Sequence, residues 1–133
     1  MPDLDSVLRT MTLEFFGGGK HKISPEALFQ TKDAVFLDVR STPEQQSLDL
    51  ALEHHVTVLR IPTDEIPDRV DEIPRERLVG VFCSAGTRAS IVYAYLRTRR
   101  YSDVRIVLGG YEAVMDAIKP EALWQYLDQR KRP

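Results

Sequence analysis

The chain has 133 residues, enough for one domain around a single core. A hydrophobic share of 43% excludes a disordered chain, and a net charge of −2 gives no footprint for nucleic acid. No apolar run approaches the roughly 18 residues of a membrane span, and the acidic start with Asp3 and Asp5 does not read as a signal peptide.

Leu4, Val7, Leu8 and Met11 are spaced as one helical face, so residues 3–12 read as a short helix with Asp3 as N-cap. Phe15 and Phe16 lead into Gly17-Gly18-Gly19, read as a joint between an N-terminal appendage (residues 1–20) and the domain. Those glycines lack the Lys-Ser/Thr pattern and the preceding buried strand of a phosphate loop. Lys20–Ile23 reads as a short edge strand, and Ser24-Pro25 as a helix start. Ala34–Val39 is a nearly continuous apolar run, the pattern of a central strand covered on both faces. Asp38 and Arg40 then fall at its carboxyl end, where they either brace the rim or join in chemistry.

Thr42-Pro43-Glu44-Gln45 predicts a capping box and a helix to about Glu53. His54 and His55 then stand at that helix end, as polar residues or at a pocket mouth. Vicinal rings point apart, and no carboxylate-histidine spacing supports zinc, so no metal is expected. Val56–Ile61 predicts a third strand, Thr63–Ile73 a helix with Pro67 in its first turn, and Leu78–Phe82 a fourth strand. Val104–Leu108 predicts a fifth strand, turned by Gly109-Gly110 into a helix over Tyr111–Ile118. Leu123, Trp124 and Leu127 mark a last helix, packed on the domain or used in a dimer, ending in Arg130-Lys131-Arg132. The alternation predicts an α/β fold: an open, mainly parallel five-stranded sheet with helices on both faces, plus extra terminal helices.

The fourth strand runs straight into the only cysteine, Cys83. Ser84-Ala85-Gly86-Thr87-Arg88 follow, and Ile91, Val92, Tyr95 and Leu96 mark the next helix. Cys83 therefore sits between a strand end and a helix N-terminus, where unpaired N–H groups can form an anion nest. Such a nest favours a thiolate, the reactive form of a thiol. Arg88 adds a fixed positive charge and a fork of donors. A single cysteine cannot form an internal disulfide, so a reducing cytoplasm is the expected location.

Cys83–Ser90 resembles the active-site loop of the rhodanese-like sulfurtransferases. Ile23–Leu28, Val35–Arg40, Ile61-Pro62 and Leu108–Ala113 resemble other pieces of that family, in order, and the likeness covers residues 21–118. Three departures stand out. Gln45–Thr57 lacks the family's Gly-His-Ile-Pro-Gly-Ala segment, Val114 stands at a tryptophan position, and Arg100 replaces a glycine. They fall on the substrate side of the pocket and leave the cysteine loop intact.

The resemblance implies transfer of a sulfane sulfur through a Cys83 persulfide. Residues 84–88 would hold the anion through their N–H groups, with Arg88 on the donor or the thiolate. The donor would be thiosulfate, a polysulfide or a persulfide, and the acceptor a thiol, cyanide or an acceptor protein, since no second cysteine is present. No cofactor, nucleic acid or membrane is implied. Two other readings stay open: a non-catalytic binding or regulatory module on the same fold, and cysteine-based phosphatase or arsenate chemistry. The loop between Cys83 and Arg88 is one residue shorter than in the cysteine phosphatases, a smaller cradle better suited to one sulfur.

Overall fold

The computed structural model describes residues 2–131. Of the expected basic end, Arg132 and the side chains of Arg130 and Lys131 lie outside the described residues. Five strands form one sheet: β1 (Lys22–Ile23), β2 (Val35–Asp38), β3 (Thr57–Arg60), β4 (Val79–Phe82) and β5 (Val104–Val107). Their order is β1-β5-β4-β2-β3, and every pairing is parallel. The helices are α1 (Leu4–Arg9), α2 (Leu13–Gly17), α3 (Pro25–Gln30), α4 (Thr42–Ser47), α5 (Ile66–Arg69), α6 (Thr87–Thr98), α7 (Gly110–Ala117) and α8 (Pro120–Lys131).

β2 and β4 are buried along their whole length. Because side chains alternate across a strand, each serves two cores at once. Val35, Leu37, Val79, Val81 and Cys83 face one cluster, with Ile66 of α5 and Ala89, Val92, Tyr93 and Leu96 of α6. Phe36 and Phe82 face the other, with Leu28 of α3, Val114 of α7, and Leu50 and Leu52. A Cβ on Gly80 would lie 2.7 Å from Leu28 and 2.9 Å from Val107, so this glycine lets α3 press against β4. Emptying a site such as Leu28 to alanine costs about 2–5 kcal/mol.

Several boundaries differ from the sequence-based expectation. The N-cap of α4 is Ser41, not Thr42: Glu44 accepts from the Ser41 N–H and Oγ and closes the capping box one residue earlier. Gln45 instead turns inward and donates to the carbonyls of Asp38 and Arg40. α4 also stops at Ser47 rather than Glu53. Leu48 is already extended, its carbonyl taken by Arg40, while the Leu50 carbonyl is taken by Arg60. Leu50 and Leu52 both reach the core, a two-residue spacing that an extended chain satisfies and a helix does not. His54 and His55 consequently sit in a turn, with His55 near the rings of Phe29 and Tyr126.

The expected helix over 63–73 divides into α5 between two short 3-10 turns. Pro67 has no N–H to give to Thr63, so the regular helix begins only at Ile66. Tyr101 holds the far end, its hydroxyl 2.6 Å from the Ile73 carbonyl. On α6 the buried face is Ala89, Val92, Tyr93 and Leu96, and Ile91 is 61% exposed. α2 takes in Gly17, with Gly18 as its C-cap. α8 forms as expected, with Tyr126 facing His54 and His55, while Trp124 is 63% exposed. Arg100, just past α6, adopts φ +68, the left-handed conformation that usually calls for glycine there.

Candidate active site

β4 delivers Cys83 to the carboxyl edge of the sheet, the side on which open α/β sheets place ligands. The side chain is buried among α6 residues, and its Sγ accepts two backbone N–H groups. Gly86 donates at 3.1 Å and Ala89 at 3.2 Å. Both come from the start of α6, where the backbone donors have no intrahelical partner. Gly86 caps this helix at φ +89; a Cβ there would meet nothing, so the backbone angle rather than space requires glycine. The Ser90 N–H closes the first turn on the Gly86 carbonyl.

Arg88 does not aim its fork at the sulfur. Its Nη1 and Nη2 donate to the two carboxylate oxygens of Glu44 at 2.7 and 3.0 Å, and Nη2 also reaches Ser84 Oγ at 3.3 Å. Hydrogen bonds from Arg88, then from Ser41, hold the Glu44 pKa down at about 2. Glu44 in turn raises that of Arg88. The bridge ties the cysteine loop to α4.

Asp38 and Arg40 form a second, fully buried bridge. Arg40 Nη2 lies 2.7 Å from Asp38 Oδ2, and Nε 3.0 Å from Oδ1. Its remaining donors go to the Tyr111 hydroxyl and the carbonyls of Glu44 and Leu48. Burial opposes the Arg40 charge, but hydrogen bonds with Asp38 and Tyr111 outweigh it and raise its pKa. Arg40 thereby fastens the end of β2 to α4 and α7. Among the described residues, no hydrogen bond links it to Cys83.

Of the expected loop residues, Gly86 donates to Sγ, Ser84 Oγ accepts from Arg88, Ala85 lies in the bend between them and Thr87 opens α6. Sequence reasoning missed Ala89, Glu44, Ser41, Tyr111 and the approach of Gly110, whose Cβ would lie 2.7 Å from the Ser84 carbonyl oxygen. The Ser-x-x-Glu spacing was the one available signal for Glu44. Its partner Arg88 lies 44 residues away in the chain.

The rhodanese-like domain model matches residues 25–117. The chain belongs to the rhodanese-like family. It is 32% identical over 94 residues to a sulfurtransferase of Allochromatium vinosum, covering 68% of this chain and 83% of that protein. It is 27% identical over 109 residues to a tRNA uridine(34) hydroxylase of Bartonella bacilliformis, covering 77% of this chain but only 36% of that longer protein. A rhodanese-related protein of Thermoplasma volcanium shares the fold, with a TM-score of 0.62 and 22% identity over 75% of this chain and 95% of that one. Among the described residues, no helix is long and apolar enough to cross a membrane, and no group of three His, Cys, Asp or Glu could hold a metal.

Proposed function

We propose that this rhodanese-like chain is a sulfurtransferase that carries a sulfane sulfur on Cys83. The observation that carries the reading is the pair of N–H groups, from Gly86 and Ala89, converging on Sγ at the end of β4. Dipoles fixed there stabilise negative charge on sulfur without reorganising during the reaction. The name of the Allochromatium relative supports the same chemistry.

In the first step the Cys83 thiolate attacks the outer sulfur of a donor such as thiosulfate. A new S–S bond forms, the donor's S–S bond breaks, and its electron pair leaves on sulfite. The Cys83 persulfide then carries the negative charge on its terminal sulfur, which the loop N–H groups beside those of Gly86 and Ala89 would hold. In the second step a thiolate or cyanide attacks that terminal sulfur and returns the Cys83 thiolate. This is covalent catalysis with ping-pong kinetics. Cys83 is the only cysteine, so the acceptor comes from outside the chain. A reducing cytoplasm would keep the thiol free between turnovers.

Intact-protein mass spectrometry tests this directly. After incubation with thiosulfate or an organic persulfide, the wild type should gain one sulfur that cyanide or a thiol removes. Cys83→Ser should gain none. A wild type that gains no sulfur from either donor overturns the proposal and leaves the chain as a binding module on this fold.

A further inference from the structure

The charges around Cys83 bear on which donor the site takes, given the sulfurtransferase reading above. The carboxyl edge of the sheet beside Cys83 is continued by the chain at the ends of β2, β3, β4 and β5. In residues 38–49, 60–65, 83–90 and 108–112 the cations are Arg40, Arg60 and Arg88. Each is already met by an acid. Arg40 is fully buried against Asp38, and Arg60 reaches Asp49 at 3.0 Å and Glu53 at 3.2 Å. Arg88 spends both terminal nitrogens on Glu44. Glu44 is itself locked in place by the Ser41 hydroxyl, 2.7 Å from its Oε1.

We infer that Glu44 is a specificity residue: by neutralising Arg88 it disfavours dianionic thiosulfate and selects an organic persulfide as sulfur donor. Thiosulfate brings two charges, one of them on a sulfonate that needs its own counter-charge. The loop N–H groups meet only the sulfur end, and the cation beside them is already paired. A carboxylate near a second anion in a partly buried site repels it more strongly than it would in water. An organic persulfide carries no charge beyond its terminal sulfur.

The step balances without a further reactant. The Cys83 thiolate attacks the outer sulfur of R–S–SH and forms the new S–S bond. The old S–S bond breaks with its electron pair on R–S⁻. The proton then passes from the Cys83 persulfide to that thiolate, giving the Cys83 persulfide anion and R–SH.

Glu44→Gln tests the inference, because glutamine at this helix position can still close the capping box with Ser41. The readout is the ratio of kcat/KM for thiosulfate over that for a small alkyl persulfide. Releasing Arg88 should raise this ratio about tenfold, the size expected for removing one nearby charge. The double variant E44Q/R88Q should lose the gain, because the freed cation is then absent. The wild type provides a check that needs no variant: it should react faster with the persulfide than with thiosulfate. A ratio unmoved by Glu44→Gln, a gain that survives in E44Q/R88Q, or a wild type that prefers thiosulfate overturns the inference. If Cys83 takes sulfur from both donors but the ratio stays fixed, the sulfurtransferase reading stands and the role of Glu44 falls. If it takes sulfur from neither, both fall.

Discussion

The Cβ that Gly110 lacks would stand 2.7 Å from the carbonyl oxygen of Ser84. The start of α7 therefore rests directly on the backbone of the cysteine loop. Gly110 also holds φ +59, which L side chains rarely adopt. Gly110→Ala must push the loop or the helix start aside. Displacing a reacting group by a fraction of an ångström to one ångström slows a reaction by about ten- to a hundredfold. Single-turnover rates of sulfur uptake by Cys83, compared at equal folded fraction, should show that loss. A rate equal to wild type would mean that the start of α7 does not set the loop's position.

The bridge between Asp38 and Arg40 should matter most when only one partner is removed. Asp38→Ala leaves a buried guanidinium without its acid, and such breaks destabilise by about 3–5 kcal/mol. Removing both charges in D38A/R40M should be milder, because no uncompensated charge remains. Urea unfolding of the two variants gives the comparison. A double variant weaker than Asp38→Ala would show that the hydrogen bonds of Arg40 to α4 and Tyr111 outweigh its ion pair.

Glu44 gives the fold an acid-sensitive contact. Its pKa is about 2 when folded and returns to the ordinary carboxylate value, near 4.5, on unfolding. A depressed folded value means stabilisation that is fully present above the unfolded pKa and disappears as pH falls from about 4.5 to about 2. The side chains of Arg88 and Glu44 are 33% and 36% exposed, so solvent screening limits the effect to about 1 kcal/mol or less. Wild type and Glu44→Gln, compared by urea unfolding at pH 6 and pH 3, should differ more at the higher pH. A constant difference would assign the bridge no role in stability.

Arg100 occupies the left-handed position just after α6, with φ +68. A side chain there is strained by roughly 1–2 kcal/mol, part of which glycine recovers before its own chain entropy is counted. Arg100→Gly should therefore raise stability by about 0.5–1 kcal/mol, read as a higher urea midpoint with unchanged slope. A lower midpoint would show that the arginine side chain contributes more than its backbone strain removes.

The two central strands and the cysteine loop were legible in the sequence because their causes are local. Buried parallel strands need apolar residues on both faces, and Val35–Leu37 and Val79–Phe82 state that as near-continuous runs. The strand-to-helix turn at Cys83 shows in the same way, with Gly86 supplying the angle. The length of α4 was not legible, since Leu48–Leu52 leave the helix only because Arg40 and Arg60 take their carbonyls and the core takes Leu50 and Leu52. The buried face of α6 is rotated slightly from the one its apolar spacing predicts, because where the helix starts decides which residues meet the sheet. The pairing of Glu44 with Arg88, and the contact of Gly110 with Ser84, join residues brought together only by the order β5-β4-β2 in the sheet. Local periodicity set the strands and the setting of Cys83. Strand order, through contacts between chain segments far apart in sequence, decided the charge and the shape of what surrounds Cys83.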